Sequence, residues 1–289
     1  SIRPHPKIQH HSDSGPVRLL SLDSQCRSDS QPVRALGKND PKVIGEFSLA
    51  ARLGSGGMGV VYLANRGVQR VALKVLNSAL VAEPSQRERF SREAEALERL
   101  DSEHIARLVD WSVEQDEAWL ALEYVNGPTL RELVRHGGAV SSEVWFGIAR
   151  GMALALGEFH SKGIVHRDIK PSNVVLSTTG PKIIDFGIAQ VLDATRLTKT
   201  GTVEGSPAWL SPEQLEAESF GPQSDIFSLA STLVYAASGQ SPWGNEDTLT
   251  VPVVFSRILN QQPDLSRLSE PQAQFVAPML EKDPDARPA

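Results

Sequence analysis

Between Glu46 and Val125 the apolar positions fall in short alternating runs, and after Pro128 they recur at helical spacing. Phe47, Leu49, Ala51 and Leu53 alternate with polar residues. Val60, Val61, Tyr62 and Leu63 follow a glycine cluster, and Val71–Leu76 forms a third run. Such period-two runs bounded by glycines predict successive short strands. Residues 85–100 change period: Phe90, Ala94, Leu97 and Leu100 share one helical face, with Pro84 suited to the first helical position. Two more strands are predicted near 107–114 and 118–125, split by a Glu-Gln-Asp turn, and Gly127-Pro128 reads as a hinge. Beyond it lie a long apolar helix over 142–161 and a second over Asp225–Ala237, capped by Ser224 or Asp225 and stopped by Gly239. This second helix is apolar on nearly every side, which predicts burial at the centre of its lobe. The pattern thus predicts an α+β chain: a small β-rich lobe with one main helix over 45–126, then a larger, mainly helical lobe over 127–289.

Residues 1–44 mix Ser, Pro, Gln, His and Asp with scattered apolar positions and predict a disordered extension, since too little surface can be buried to offset the ordering entropy. His5, His10 and His11 have no Cys or Glu at ligand spacing, which argues against a metal site there. For the 289 residues as a whole, 40% hydrophobic content is ample for a core. The single cysteine, Cys26, excludes a disulfide framework within one chain and fits a reducing compartment. A net charge of −6 without Lys/Arg blocks argues against nucleic acid as the main partner. No apolar stretch approaches the roughly 18 residues a membrane helix needs, and nothing at the start resembles a signal peptide. The expectation is a cytoplasmic segment without membrane contact. A chain starting at Ser1 reads as a processed or excised piece.

Three motifs carry chemistry. Gly54-Ser-Gly56-Gly-Met-Gly59-Val-Val61 lies between two predicted strands, where glycines let backbone N–H groups approach phosphate oxygens. A strand rather than a helix follows, which excludes the dinucleotide-binding reading; alone, the motif fits a glycine-rich hairpin equally well. Lys74, in Val71-Ala72-Leu73-Lys74, sits within an apolar strand and needs a partner, for which Glu93 on the following helix is the candidate; a lone lysine is more often on an edge facing water. The third motif decides between these. His166-Arg167-Asp168-Ile-Lys170-Pro-Ser-Asn173 is followed by Asp185-Phe186-Gly187. Asp168 offers a carboxylate to accept a hydroxyl proton, Lys170 a charge to neutralise a transferring phosphoryl group, and Asn173 and Asp185 the hard oxygen ligands that Mg²⁺ prefers. No GxxxxGK[ST] sequence is present, which removes the P-loop alternative.

Over residues 45–289 the chain resembles a protein kinase catalytic domain of the eukaryotic-like serine/threonine superfamily, and the bacterial membrane-linked members in particular. The resemblance implies a bilobal kinase fold with an antiparallel small lobe, and ATP with Mg²⁺ or Mn²⁺ as cofactors. By similarity, Leu53, Gly54, Gly56 and Gly59 cover the nucleotide and Lys74 holds its phosphates, oriented by Glu93. Val61 and Ala72 cover one face of the adenine and Val175 the other, while Glu123 and Val125 offer backbone hydrogen bonds to its edge beside Leu122. Asp168 is the implied catalytic base, assisted by Lys170, and Asn173 and Asp185 are the implied metal ligands. Leu97, Leu108, His166 and Phe186 match a stack that aligns the lobes; Asp225 matches an anchor of the catalytic loop; Glu213 of Ser211-Pro212-Glu213 is expected to pair with Arg287.

Lys170, two residues after Asp168, is the serine/threonine signature, and Ser206 stands where relatives place a threonine. Protein substrates with Ser or Thr acceptors are therefore implied. Thr198, Thr200 and Thr202 lie where related kinases autophosphorylate, and a phosphate there can order the segment by pairing with Arg167. Gln190, where many relatives have a basic residue, weakens that phosphate pocket. A scaffold without catalysis is the main alternative; such pseudokinases usually lose the equivalents of Lys74, Asp168 or Asp185. Small-molecule phosphotransferases share the catalytic loop but lack the Ser-Pro-Glu segment and its distal arginine. The resemblance further implies self-association through the small lobe, a last helix beyond Ala289 whose absence exposes an apolar patch near Phe275, Val276 and Leu280, and a continuation towards a membrane anchor.

Overall fold

The strands predicted from the alternating runs assemble into one curled antiparallel sheet. The structure is a computed structural model describing residues 34–114, 117–187, 207–216, 221–245 and 247–289. In the first lobe, β1 (Val43–Ile44), β2 (Phe47–Gly56), β3 (Gly59–Arg66), β4 (Gln69–Leu76), β5 (Leu108–Val113) and β6 (Ala118–Glu123) lie in the order β1-β2-β3-β4-β6-β5. Along β2 the burial follows the sequence period: Phe47, Leu49 and Ala51 face inward while Ser48 and Ala50 face water. Helix α1 (Pro84–Leu97) buries Phe90, Ala94 and Leu97, with Pro84 at its first position as expected.

The lobe starts earlier than expected. Residues 34–44, which the composition predicts to be disordered, fold against the sheet. Val43 and Ile44 pair with Ser48 and Phe47, and the buried Asp40 carboxylate binds Arg52 and Tyr62. Its partners lie at positions 52 and 62, so a local reading of polarity could not find them. Residues 1–33, with the three histidines and Cys26, lie outside the described residues.

Gly127 and Pro128 lie between β6 and the next helix, Leu130–Gly137. The Pro128 carbonyl accepts from Leu176 N–H at 2.9 Å, sewing the hinge to a small hairpin, β7 (Val174–Ser177) and β8 (Gly180–Ile183), that the sequence reading missed. The remaining described elements of the second lobe are helical: α2 (Leu130–Gly137), α3 (Ser142–Ser161), α4 (Pro212–Leu215), α5 (Pro222–Ser238), α6 (Val251–Asn260) and α7 (Glu270–Val276). Helix α3 matches its predicted span. Helix α5 is buried on nearly all sides, as its all-round apolarity implied, and ends at Gly239 with φ 75°. Its start is corrected: Pro222 is the first residue and Gly221 precedes it, so neither Ser224 nor Asp225 caps the helix. Of the apolar patch expected near the end, Val276 and Leu280 are buried and only Phe275 is exposed.

Candidate active site

Eleven of the residues singled out in the sequence line one cleft between the lobes, whereas Gly56, Gly59, Glu93, Asp168 and Lys170 are outside its lining. The cleft has a volume of about 230 Å³ and is lined by Leu53, Gly54, Val61, Ala72, Lys74, Leu122, Glu123, Val125, Asn173, Val175 and Asp185. Tyr124, Ser172 and Ile184 complete the lining and were not anticipated, although each adjoins a residue that was. The roof comes from the β2–β3 hairpin, the back from β6 and the floor from the β7–β8 hairpin.

The glycines of the roof differ in what holds them. Gly59 has φ 143°, and an added Cβ would lie 2.0 Å from the Val75 carbonyl oxygen of the neighbouring strand. Gly54 and Gly56 would meet nothing within 4 Å, so the protein's own packing does not demand glycine there. Gly59→Ala is accordingly expected to displace the hairpin and lower stability by about 1–3 kcal/mol, read as a fall in melting temperature.

At the back, the Glu123 side chain turns away from the cleft. Lys182 Nζ, on β8, donates to its two carboxylate oxygens at 3.2 and 3.3 Å. The Glu123 backbone is left at the cleft wall, where the expected adenine contact needs it. The floor is fixed by Asp225, which is fully buried: its carboxylate accepts from the backbone N–H of His166 at 2.8 Å and of Arg167 at 2.7 Å. Arg167 has φ 70°, the one positive value outside glycine among the described residues. Two charge-assisted bonds thus hold a conformation that is unfavourable for a side-chain-bearing residue. His166 is buried against Phe159 and Phe186, with ring centroids 5.3 and 6.2 Å away, and burial pushes its imidazole below the ordinary histidine range.

The catalytic-loop side chains form a short network. Lys170 Nζ donates to both Asp168 carboxylate oxygens at 2.8 and 2.7 Å. Asn173 Nδ2 donates to the Asp168 backbone oxygen and to Oδ2, both at 2.9 Å. The amide nitrogen being spent on Asp168, the Asn173 carbonyl oxygen is the acceptor left over. With the Asp185 carboxylate in the same lining, it makes a hard-oxygen donor set of the type Mg²⁺ prefers.

One expected pair is not formed. Lys74 Nζ donates to Asp185 Oδ1 at 2.6 Å, whereas Glu93 faces Arg167 Nη1 across 3.8 Å. Lys74 is nearly enclosed, at 11% side-chain exposure, and needs a carboxylate. Sequence spacing told that one was required but could not choose between Glu93 on α1 and Asp185 beyond β8. Of the expected stack, Leu97, His166 and Phe186 line one hollow with Glu93, while Leu108 lines another together with Leu97 and Phe186. Thr198, Thr200, Thr202, Gln190 and Ser206 lie outside the described residues. Far below the cleft, Glu213 and Arg287 make the expected bidentate pair at 2.7 and 2.9 Å.

A family model described as protein kinase domain matches residues 47–289. The chain belongs to the protein kinase family. The kinase domain is 38% identical over 257 residues to the probable serine/threonine-protein kinase PkwA of Thermomonospora curvata, covering 89% of this chain and 34% of that protein. It is 40% identical over 253 residues to the serine/threonine-protein kinase AfsK of Streptomyces griseus, covering 87% and 31% respectively. It is 37% identical over 215 residues to the serine/threonine-protein kinase PknA of Mycobacterium tuberculosis H37Rv, covering 72% and 50%. The chain therefore spans a third to a half of the length of these relatives. Among the described residues, no helix of the kinase domain is long and apolar enough to cross a membrane.

Proposed function

We propose that this kinase domain transfers the γ-phosphoryl group of ATP to serine or threonine hydroxyls of proteins. The observation that carries this reading is the Asp168–Lys170–Asn173 network, whose Asn173 lines the interlobe cleft together with Asp185. In it Asp168 accepts the proton of the attacking hydroxyl while Lys170, at 2.7 Å from the same carboxylate, meets the charge building on the transferred group. Leu53, Val61, Ala72 and Val175 enclose the adenine, the backbones of Glu123 and Val125 read its edge, and Gly54, Gly56 and Gly59 lie over the phosphates.

Asn173 and Asp185 are the residues to hold Mg²⁺, which when bound neutralises phosphate charge. Lys74, which donates to one oxygen of the Asp185 carboxylate, would meet the α- and β-phosphates, and Glu93, which faces Arg167, would be a second carboxylate for it. The activity proceeds in the cytoplasmic compartment and includes autophosphorylation within the segment holding Thr198, Thr200 and Thr202. Incubation with MgATP and a basic protein, followed by mass-spectrometric mapping, checks the reading. Modified Ser and Thr are expected, in the substrate and in that segment; modification confined to Tyr would refute the substrate class.

A further inference from the structure

The family match begins at Phe47, yet residues ahead of it grip the strand that leads into the glycine loop. Asp40, with only 3% of its side chain exposed, is the centre of the grip. Its carboxylate accepts from Arg52 Nε at 2.6 Å and also binds Arg52 Nη2, and it accepts from the Tyr62 hydroxyl at 2.8 Å and Gly37 N–H at 2.6 Å. Arg34 and Arg52 exchange backbone hydrogen bonds at 3.0 and 2.8 Å, and Leu49 N–H donates to the Lys42 carbonyl at 2.9 Å.

The place of this grip is informative. Arg52 and Tyr62 are cross-strand partners on β2 and β3, so one carboxylate ties both strands at one rung. The next paired rung is Gly54 with Val61, and the register shifts between them, leaving Leu53 as the extra residue of a β-bulge. Leu53, Gly54 and Val61 all line the cleft. A bulge bends its strand and re-aims the residues beside it, and the bend depends on what fixes the flanking rung. Here that rung is fixed by a residue from outside the matched domain.

We propose that Asp40 is a positioning residue for nucleotide binding: through Arg52 and Tyr62 it sets the bulge that holds Leu53 and Gly54 over the cleft. This rests on the kinase reading for what the nucleotide is, but not for how it is tested. Loss of the carboxylate leaves Arg52 able to turn its guanidinium to water, since 36% of that side chain is already exposed. Asp40→Asn therefore folds, and the roof of the cleft loses its fixed pitch.

The test titrates the 289-residue wild-type chain, Asp40→Asn, Arg52→Met and the double variant with a non-hydrolysable ATP analogue, and measures KM and kcat for ATP alongside. Each single variant is expected to bind the analogue about fivefold more weakly, with KM rising to match and kcat changing by less than about twofold. The double variant loses no more than either single, because both break one network. Tyr62→Phe, which removes a single hydroxyl, gives a smaller loss in the same direction. Wild-type affinity in the variants, losses that add, or a fall in kcat at unchanged affinity each overturn the proposal. A wild type that binds the analogue without transferring phosphate refutes the kinase reading instead, and the comparison of affinities still decides the role of Asp40.

Discussion

Replacing Asp168 by Asn is expected to lower kcat for phosphate transfer about a thousandfold while leaving ATP affinity within about twofold of wild type. The asymmetry follows from where Asp168 sits. It does not line the interlobe cleft, and its partners are the side chains of Lys170, Asn173 and His166. Asparagine has nearly the same shape, and the loop itself is held by Asp225 through backbone N–H groups, so the geometry survives. What is lost is the capacity to take a proton from the attacking hydroxyl. Steady-state kinetics with a protein substrate, paired with nucleotide titration, checks this. A variant that keeps more than about a tenth of wild-type kcat would show that the base is another group.

Arg287→Met is expected to cost about 3–5 kcal/mol of stability, a fall of roughly 10 °C in melting temperature for a domain of this size. All five guanidinium N–H donors are used: two on Glu213, and one each on the backbone carbonyls of Gln223, Glu281 and Lys282. The variant leaves the Glu213 carboxylate buried with only Ser224 Oγ, 2.6 Å away, to solvate it among side chains. An added Glu213→Leu should recover part of the loss, because the stranded charge rather than the missing bond is the larger penalty.

The deficit also depends on pH. Burial pushes the Glu213 carboxyl up, but the hydrogen bonds from Arg287 and Ser224 outweigh it and hold the group below its ordinary value of 4.5. The folded chain therefore binds fewer protons here than the unfolded one. The contribution is complete above that ordinary value and is lost as pH falls below it. The gap in melting temperature between wild type and Arg287→Met should accordingly hold from pH 7 down to about 4.5 and narrow as the pH falls further. A gap that stays constant or widens would mean that the ionised pair is not its source.

Much of this was legible in the sequence, for identifiable reasons. The period-two runs that include Phe47, Leu49 and Ala51 gave the strands because one face of the sheet is dry and the other wet. Helix α5 declared its central burial through all-round apolarity, and the sequence reading named Asn173 and Asp185, which line one cleft. What stayed hidden depends on distant choices between equivalent partners. Lys74 needed a carboxylate, and two were within reach. Asp40 lay in a polar stretch with no periodicity, and only the folded sheet brings Arg52 and Tyr62 to it. The β7–β8 hairpin is just four residues per strand, too short for its alternation to stand out.

The most direct test of the central claim is transfer of labelled γ-phosphate from ATP to a basic protein by the wild-type chain, with Mg²⁺ and with a chelator. The account predicts label on Ser and Thr that the chelator abolishes. A chain that binds ATP but transfers no label, with Mg²⁺ or Mn²⁺ present, would contradict it and leave a nucleotide-binding scaffold with a kinase fold.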